Sequence, residues 1–258
     1  AQNNFELLIS LNLSPDGKSI YVADFDGNQV GLITRDPSSG TVELATIYED
    51  GKDGENLGGP EAVLVSPDNK HAYVVAFFGS SVGAFLRDQQ SGELTQIQSL
   101  KPKEGNEELF FGMEAASFSP DGTRLVLVSP PSDRLAVCAR DPESGQLSLL
   151  WSQPFQVEQQ PDPGRVVIGP QGKKVHVSLR KQGSVATFLM QESGELAWQS
   201  SWQVPAHLAG LTDFTNGLAL TQNGVHLYSS SMLGDSITVF QVGHALSGDD
   251  NGCGQACP

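Results

Sequence analysis

Three oxygen-bearing side chains, Glu61, Glu114 and Asn216, each stand five residues ahead of a tight turn of one kind. A repeat wound about an axis brings such equivalent positions together, and clustered oxygens suit a hard cation such as Ca²⁺. The chain carries a formal charge of -15, so two neighbouring carboxylates in it repel each other. A divalent cation would relieve that repulsion and could polarise a carbonyl.

Other candidates fall in loops expected at the same end. Asp24 and Asp26, in Asp24-Phe25-Asp26-Gly27-Asn28, match the start of a calcium loop but lack its downstream Glu, and a hairpin turn is the better reading. Phe77 and Phe78 are adjacent, so one of them can face outward as a platform for a ligand. Arg180, Lys181 and Asp213 supply charge for a ligand, and His207 is a candidate general base near Glu61 or Glu114. His71, His226 and His176 are expected on the surface at the opposite end. A Gly-x-Ser-x-Gly placed at a strand-to-helix elbow is absent, as are the P-loop, the GxGxxG fingerprint and the HExxH helix.

The elements that must position these groups come from an internal repeat. Its anchors are Ser14-Pro15-Asp16-Gly17, Ser66-Pro67-Asp68-Asn69, Ser119-Pro120-Asp121-Gly122, Gly169-Pro170-Gln171-Gly172 and Thr221-Gln222-Asn223-Gly224, spaced 52, 53, 50 and 52 residues apart. Pro presets φ, and Asp-Gly or Asn-Gly accepts the left-handed position that follows, so each anchor is a tight turn. Sixteen residues after the start of each anchor comes an aliphatic residue: Val30, Val82, Leu135, Val185 and Ile237. Three further on stand Ile33, Phe85, Cys138, Phe188 and Phe240, which makes Cys138 a buried, inert thiol. Ser-Gly then recurs at Ser39-Gly40, Ser91-Gly92, Ser144-Gly145, Ser193-Gly194 and Ser247-Gly248.

Each unit reads strand, anchor turn, strand, loop, strand, Ser-Gly turn, strand. In the second unit these are Glu61–Val65, Ala72–Val75, Ser81–Phe85 and Leu94–Ile97, short runs rich in β-branched and aromatic residues. The fold class is therefore all-β: a β-propeller of five four-stranded units, the last irregular, closing alone or as part of a larger ring. Units span about 5–50, 58–101, 112–152, 164–204 and 214–242, with the propeller over 1–242 and a polar tail over 243–258. The tail takes the place of the fifth unit's outer strand, and Cys253 and Cys257 within it can form a local bridge. The exposed edge beside Phe240 should then be covered by that tail or by self-association.

Composition narrows the partners. An excess of acid over base, 30 Asp plus Glu against 15 Lys plus Arg, repels phosphate backbones and anionic bilayers, which argues against nucleic acid and membrane insertion. The start Ala1-Gln2-Asn3-Asn4 fits a mature end left by signal-peptide removal, as it would a trimmed chain, and a secreted or periplasmic location is expected.

The unit "SPDxKxxYV…VxxFxRDxxSGxL", carried by residues 66–94 and nearly repeated at 14–42, resembles the lactonase-like β-propellers. That set includes 6-phosphogluconolactonase-type and muconate-cyclising enzymes and repeats of large extracellular bacterial proteins, which residues 50–59 resemble most. Its enzymes usually have seven blades, against five units here. Asn216-Gly217-Leu218-Ala219-Leu220 with the following turn is similar to a unit of regucalcin/gluconolactonase and paraoxonase-like propellers. That similarity implies calcium coordination by Asn216.

Two functions follow as expectations. The first is a secreted or periplasmic binding or scaffold propeller taking a small molecule, a glycan or a protein, with a ligand or cation site at its channel mouth. The second is a lactonase-type or related ester hydrolase, with calcium as the one cofactor expected.

Overall fold

The computed structural model describes residues 5–104, 107–155, 162–203, 215–231, 235–243 and 256–257, with the backbone alone at 104, 107, 108, 215, 216, 256 and 257. The first sheet holds β1 (Leu8–Leu13), β2 (Ser19–Asp24), β3 (Gln29–Arg35) and β4 (Val42–Glu49). The second holds β5 (Pro60–Val65), β6 (His71–Ala76), β7 (Ser81–Arg87) and β8 (Leu94–Leu100). A short hairpin, β9 (Lys103–Glu104) with β10 (Glu107–Glu108), precedes the third sheet of β11 (Ala115–Phe118), β12 (Arg124–Ser129), β13 (Arg134–Arg140) and β14 (Leu147–Pro154). The fourth is β15 (Pro163–Ile168), β16 (Lys174–Leu179), β17 (Ser184–Met190) and β18 (Leu196–Trp202). The fifth is β19 (Thr215–Leu220), β20 (His226–Ser231), β21 (Ser236–Gln241) and β22 (Ala256–Cys257).

All five sheets pair antiparallel in chain order, one sheet per repeat unit, as the blades of a β-propeller. The expected tail departs from the sequence reading in one respect: its residues 256–257 pair with Phe240 and Val239, so the tail supplies a short outer strand. A row of unpaired N–H and C=O groups along β21 invites such pairing. Cys253, and with it any bridge to Cys257, lies outside the described residues.

In blades 1 to 4 the middle strands are buried on both faces over most of their length. Tyr21, Ala23, Val30 and Leu32 of blade 1 pack on Val63, Val65, Ala72, Val74 and Phe85 of blade 2. Tyr73, Val75, Val82 and Ala84, on the reverse of blade 2, meet Leu125, Leu127, Ala136 and Cys138 of blade 3. Blades 3 and 4 join through Val126, Val137, Val175 and Phe188, and blades 4 and 5 through Val185, Leu227 and Phe240. Among the described residues no core cluster joins blade 5 to blade 1. Cys138 is fully buried, and burial pushes its thiol up to about 12, so the reading of an inert core thiol holds.

A polar lock repeats between blades. Tyr73 on β6 donates to the carbonyl of Gly145 in the Ser-Gly turn of blade 3 at 2.7 Å, and accepts from Arg140 Nε at 2.8 Å. Arg140 Nη2 also reaches Asp68 of the blade-2 anchor turn at 2.7 Å. One blade earlier, Tyr21 donates to Gly92 at 2.5 Å and accepts from Arg87 Nε at 2.8 Å. Arg87 and Arg140, each followed by Asp, thus bind blades 2 and 3 to the blade before them.

Two histidines contradict the surface expectation. His71 is buried against Arg140, whose Nη2 donates to its Nδ1 at 2.7 Å, and His176 is buried with its Nδ1 2.9 Å from Thr187 Oγ1. Their strand positions face the next blade, and burial followed by the charge of Lys174 drops the His176 pKa to about 4.

The Ser-Gly turn is a packing device as well as a turn. Gly145 has φ +74°, and a Cβ there would lie 2.1 Å from the His71 ring, whereas Gly40, with φ +75°, would meet nothing within 4 Å. Gly40→Ala should cost about 1 kcal/mol of backbone strain, and Gly145→Ala about 2–4 kcal/mol with overpacking added. Urea denaturation of both variants measures the difference; equal losses would show that the blade contact at Gly145 is slack.

Candidate functional site

The inner strands β1, β5, β11, β15 and β19 line a cavity of about 320 Å³, with residues such as Asn12, Ala62, Ala115, Arg165 and Gly217 on its wall. At its rim four of the five inner strands share a defect. The register slips between Leu8 and Ser10, Pro60 and Ala62, Pro163 and Val166, and Thr215 and Gly217. The bulged residues are Ile9, Glu61, Gly164 with Arg165, and Asn216, the positions about five residues ahead of the anchor turns. A β-bulge bends its strand and re-aims a side chain.

Glu61 is half-buried in this bulge and its pKa is pushed up to about 7. Burial contributes most and the charge of Glu114 adds to it, while Arg165 and Arg180 pull the other way. Glu114 forms an ion pair with Arg180 Nη2, and the Arg165 guanidinium donates to the Glu114 carbonyl at 3.3 Å. Blade 4 makes this possible by carrying glycine where blades 2 and 3 carry Glu. A Cβ at Gly164 would stand 2.9 Å from Arg180 Nε and 3.0 Å from its Cγ, so only glycine lets the arginine cross its own inner strand. Two carboxylates and two guanidinium groups from blades 2, 3 and 4 therefore share the channel mouth.

Phe25, Phe77, Phe78 and Phe111 form an aromatic rim beside it. Phe25 and Phe78 have ring centroids 5.1 Å apart, Phe77 and Phe78 5.2 Å, and Phe77 and Phe111 6.2 Å. Phe77 is half-buried and Phe78 exposed. Asn28 ties the first blade's turn to this region by accepting from the Gly59 amide at 2.8 Å.

The other expected residues scatter. Asp24 is buried, and its carboxylate accepts from the amides of Glu6 and Leu7 and from Gln29 Nε2. Burial alone would raise its pKa, but these donors hold it below the usual value. It is the cap of the N-terminal segment, as a hairpin-turn reading implies. Asp26 and Lys181 are exposed. His207 and Asp213 lie outside the described residues, as does the side chain of Asn216. Of the expected cation ligands, Glu114 is engaged by Arg180 and Asp24 by backbone amides. Arg165 was missed by the sequence reading. Its signal was the glycine beside it, at a repeat position otherwise occupied by a side chain.

A channel-centred β-propeller with acid and base groups at its mouth defines the class. The chain belongs to the lactonase family of seven-bladed β-propellers, whose sequence profile matches residues 54–209. Its fold is similar to that of a Bacteroides uniformis protein provisionally assigned as a 6-phosphogluconolactonase (TM-score 0.73, 19% identity), covering 96% of this chain and 69% of that one. A Lactobacillus plantarum protein gives TM-score 0.72 at 17% identity over 100% of this chain and 72% of that one. The periplasmic gluconolactonase of Pseudomonas aeruginosa gives 0.70 at 17% over 90% and 65%. No curated protein matches the sequence.

The raised pKa of Glu61 ties stability to pH. The folded state holds this proton more tightly than the unfolded chain, so the stability that Glu61 contributes is full below about 4.5 and is lost as pH rises through about 7. Glu61→Gln, which cannot ionise, should gain melting temperature relative to the unmodified protein at pH 8 and not at pH 4. A difference that stays constant with pH would show that Glu61 titrates normally.

Proposed function

We propose that the protein is a lactonase-type hydrolase acting on sugar-acid lactones at the channel mouth. The observation that carries this reading is Glu61: a partly buried carboxyl with a pKa near 7, beside two arginines, is matched to general-base work at neutral pH. Deprotonated Glu61 takes a proton from water as the water oxygen attacks the lactone carbonyl. Arg165 and Arg180 face the oxyanion that develops, and their fixed charge favours the tetrahedral state over the neutral ester. The ring C–O bond then breaks, and the leaving alkoxide takes the proton back from Glu61. Glu114 positions Arg180 through their ion pair. The aromatic rim of Phe77 and Phe78 offers apolar surface to the sugar ring.

Family membership and the two relatives described as acting on gluconolactones support the substrate class. A periplasmic or secreted location is part of the same proposal; the Pseudomonas aeruginosa relative is periplasmic, and no described helix is long and apolar enough to cross a membrane.

Hydrolysis of gluconolactone and 6-phosphogluconolactone, followed by acid release, tests the reading. kcat/KM should rise with pH through about 7, as the Glu61 base form appears. Glu61→Gln should lower it by roughly 10²- to 10⁴-fold. Arg180→Met should move the pH midpoint upward, because Arg180 lowers the Glu61 pKa. An enzymatic rate indifferent to Glu61→Gln, or no hydrolysis of either lactone, would overturn it.

A further inference from the structure

Blade 4 departs from the repeat at four positions that touch one another. Counted from the anchor turns, Gly164 stands where blades 2 and 3 carry Glu61 and Glu114, and Arg165 where they carry Ala62 and Ala115. Ser178 replaces Val75 and Val128, and Arg180 replaces Phe77 and Pro130. The changes meet in space. A Cβ at Gly164 would lie 2.8 Å from Ser178 Oγ, 2.9 Å from Arg180 Nε and 3.0 Å from Arg180 Cγ. Unrelated changes along a blade have no reason to gather round one missing side chain.

Ser178 is the member of this set without a part in the chemistry proposed above. It is fully buried, as are its counterparts Ala23, Val75 and Val128 on blades 1 to 3, whereas Ser230 on blade 5 is exposed. A hydroxyl in an aliphatic slot is costly unless it is hydrogen-bonded. Here its oxygen accepts from the Arg165 amide at 2.7 Å. That amide lies inside the bulge, where the register slips between Pro163, opposite Leu179, and Val166, opposite Val177. Blade 3 shows the alternative. The amide of Glu114 is received there at 2.9 Å by the main-chain carbonyl of Val128, and the inner strand pairs from Ala115 to Phe118 without a slip. Blade 4 thus exchanges a main-chain acceptor for a side-chain one, which holds the strand off the regular ladder at Arg165. From that point both arginines end on one residue of blade 3. Arg180 pairs with the Glu114 carboxylate, and the Arg165 guanidinium donates to the Glu114 carbonyl at 3.3 Å.

We propose that Ser178 is a positioning residue of the channel mouth: its hydroxyl fixes the bulged backbone at Arg165 and so aims the Arg165 guanidinium toward Glu61 and Glu114. The proposal rests on the hydrolase reading for its effect on rate, and on the geometry alone for its effect on Glu61. Without the hydroxyl, the Arg165 amide either returns to the regular ladder or loses a buried acceptor. Both outcomes move the guanidinium off its line, and a misplacement of about 1 Å at a positioned group can cost on the order of a hundredfold in rate. Burial and Glu114 raise the proton affinity of Glu61, and Arg165 and Arg180 lower it, so a displaced Arg165 leaves Glu61 harder to ionise.

The test follows the titration of Glu61 by carbon NMR in protein labelled at its Glu carboxyls, the signal being the one lost in Glu61→Gln. Ser178→Ala, and Ser178→Val with the residue that blades 2 and 3 accommodate, should each raise the midpoint by about half a pH unit or more. Arg165→Met should raise it as well, and Ser178→Ala added to Arg165→Met should raise it no further. Ser178→Thr keeps the oxygen on a frame of valine's shape and should retain the original midpoint. In gluconolactone hydrolysis above the midpoint, Ser178→Ala should lower kcat/KM by roughly ten- to a hundredfold, and Ser178→Thr should not. An unmoved midpoint in Ser178→Ala and Ser178→Val overturns the proposal. So does a full further shift on top of Arg165→Met, or a shift in Ser178→Thr equal to that in Ser178→Ala. The two readings fail separately. If neither lactone is hydrolysed while the midpoints move as stated, the hydrolase falls and the role of Ser178 stands; if hydrolysis depends on Glu61 while the midpoint ignores Ser178, the reverse holds.

Discussion

Burial of both faces of the middle strands in blades 1 to 4 is the constraint from which the rest follows. A sheet apolar on both sides is not stable alone and needs a neighbour on each. This accounts for the continuous apolar runs of β6 and β7, which lack the alternation of a half-exposed strand. It also accounts for the lock of tyrosine, arginine and glycine carbonyl. Aliphatic packing lets one sheet slide over another, whereas Tyr73 bonded at once to Arg140 and Gly145 fixes one register between blades. Burial pushes the Tyr73 hydroxyl up to about 12, so the phenol stays protonated and keeps donating.

The channel mouth uses the same frame with a different balance of forces. An acidic protein would be expected to repel anionic substrates, yet the local field at the mouth is set by Arg165 and Arg180 as much as by the acids. Those arginines hold Glu61 near neutrality against the pull of burial and Glu114. Position along the inner strands, rather than net charge, sets the local field at the mouth.

The sequence made the scaffold legible because the repeat fixes strand order and turn position five times over. The expected strands of the second unit differ from β5 to β8 by no more than a few terminal residues. What escaped it depends on contacts between units. His71 and His176 read as surface residues because their strand neighbours are ordinary, and only the adjacent blade buries them. The carboxylates Glu61 and Glu114 were found by counting back from the anchors. Their partner Arg165 was not, since its importance rests on the space left by Gly164, and an absent side chain carries little signal in a list of residues.

The bulge at the rim has an evolutionary corollary. One extra residue in four of the five inner strands is taken up locally, so the strand beyond it keeps its register whatever that residue is. Ile9, Glu61, Gly164 and Asn216 already show that the slot tolerates an aliphatic, an acid, a glycine and an amide. Each of these four blades thus presents one exchangeable tip on a fixed shaft. New chemistry can be sampled by single substitutions around the ring, without renegotiating the packing that holds the blades together.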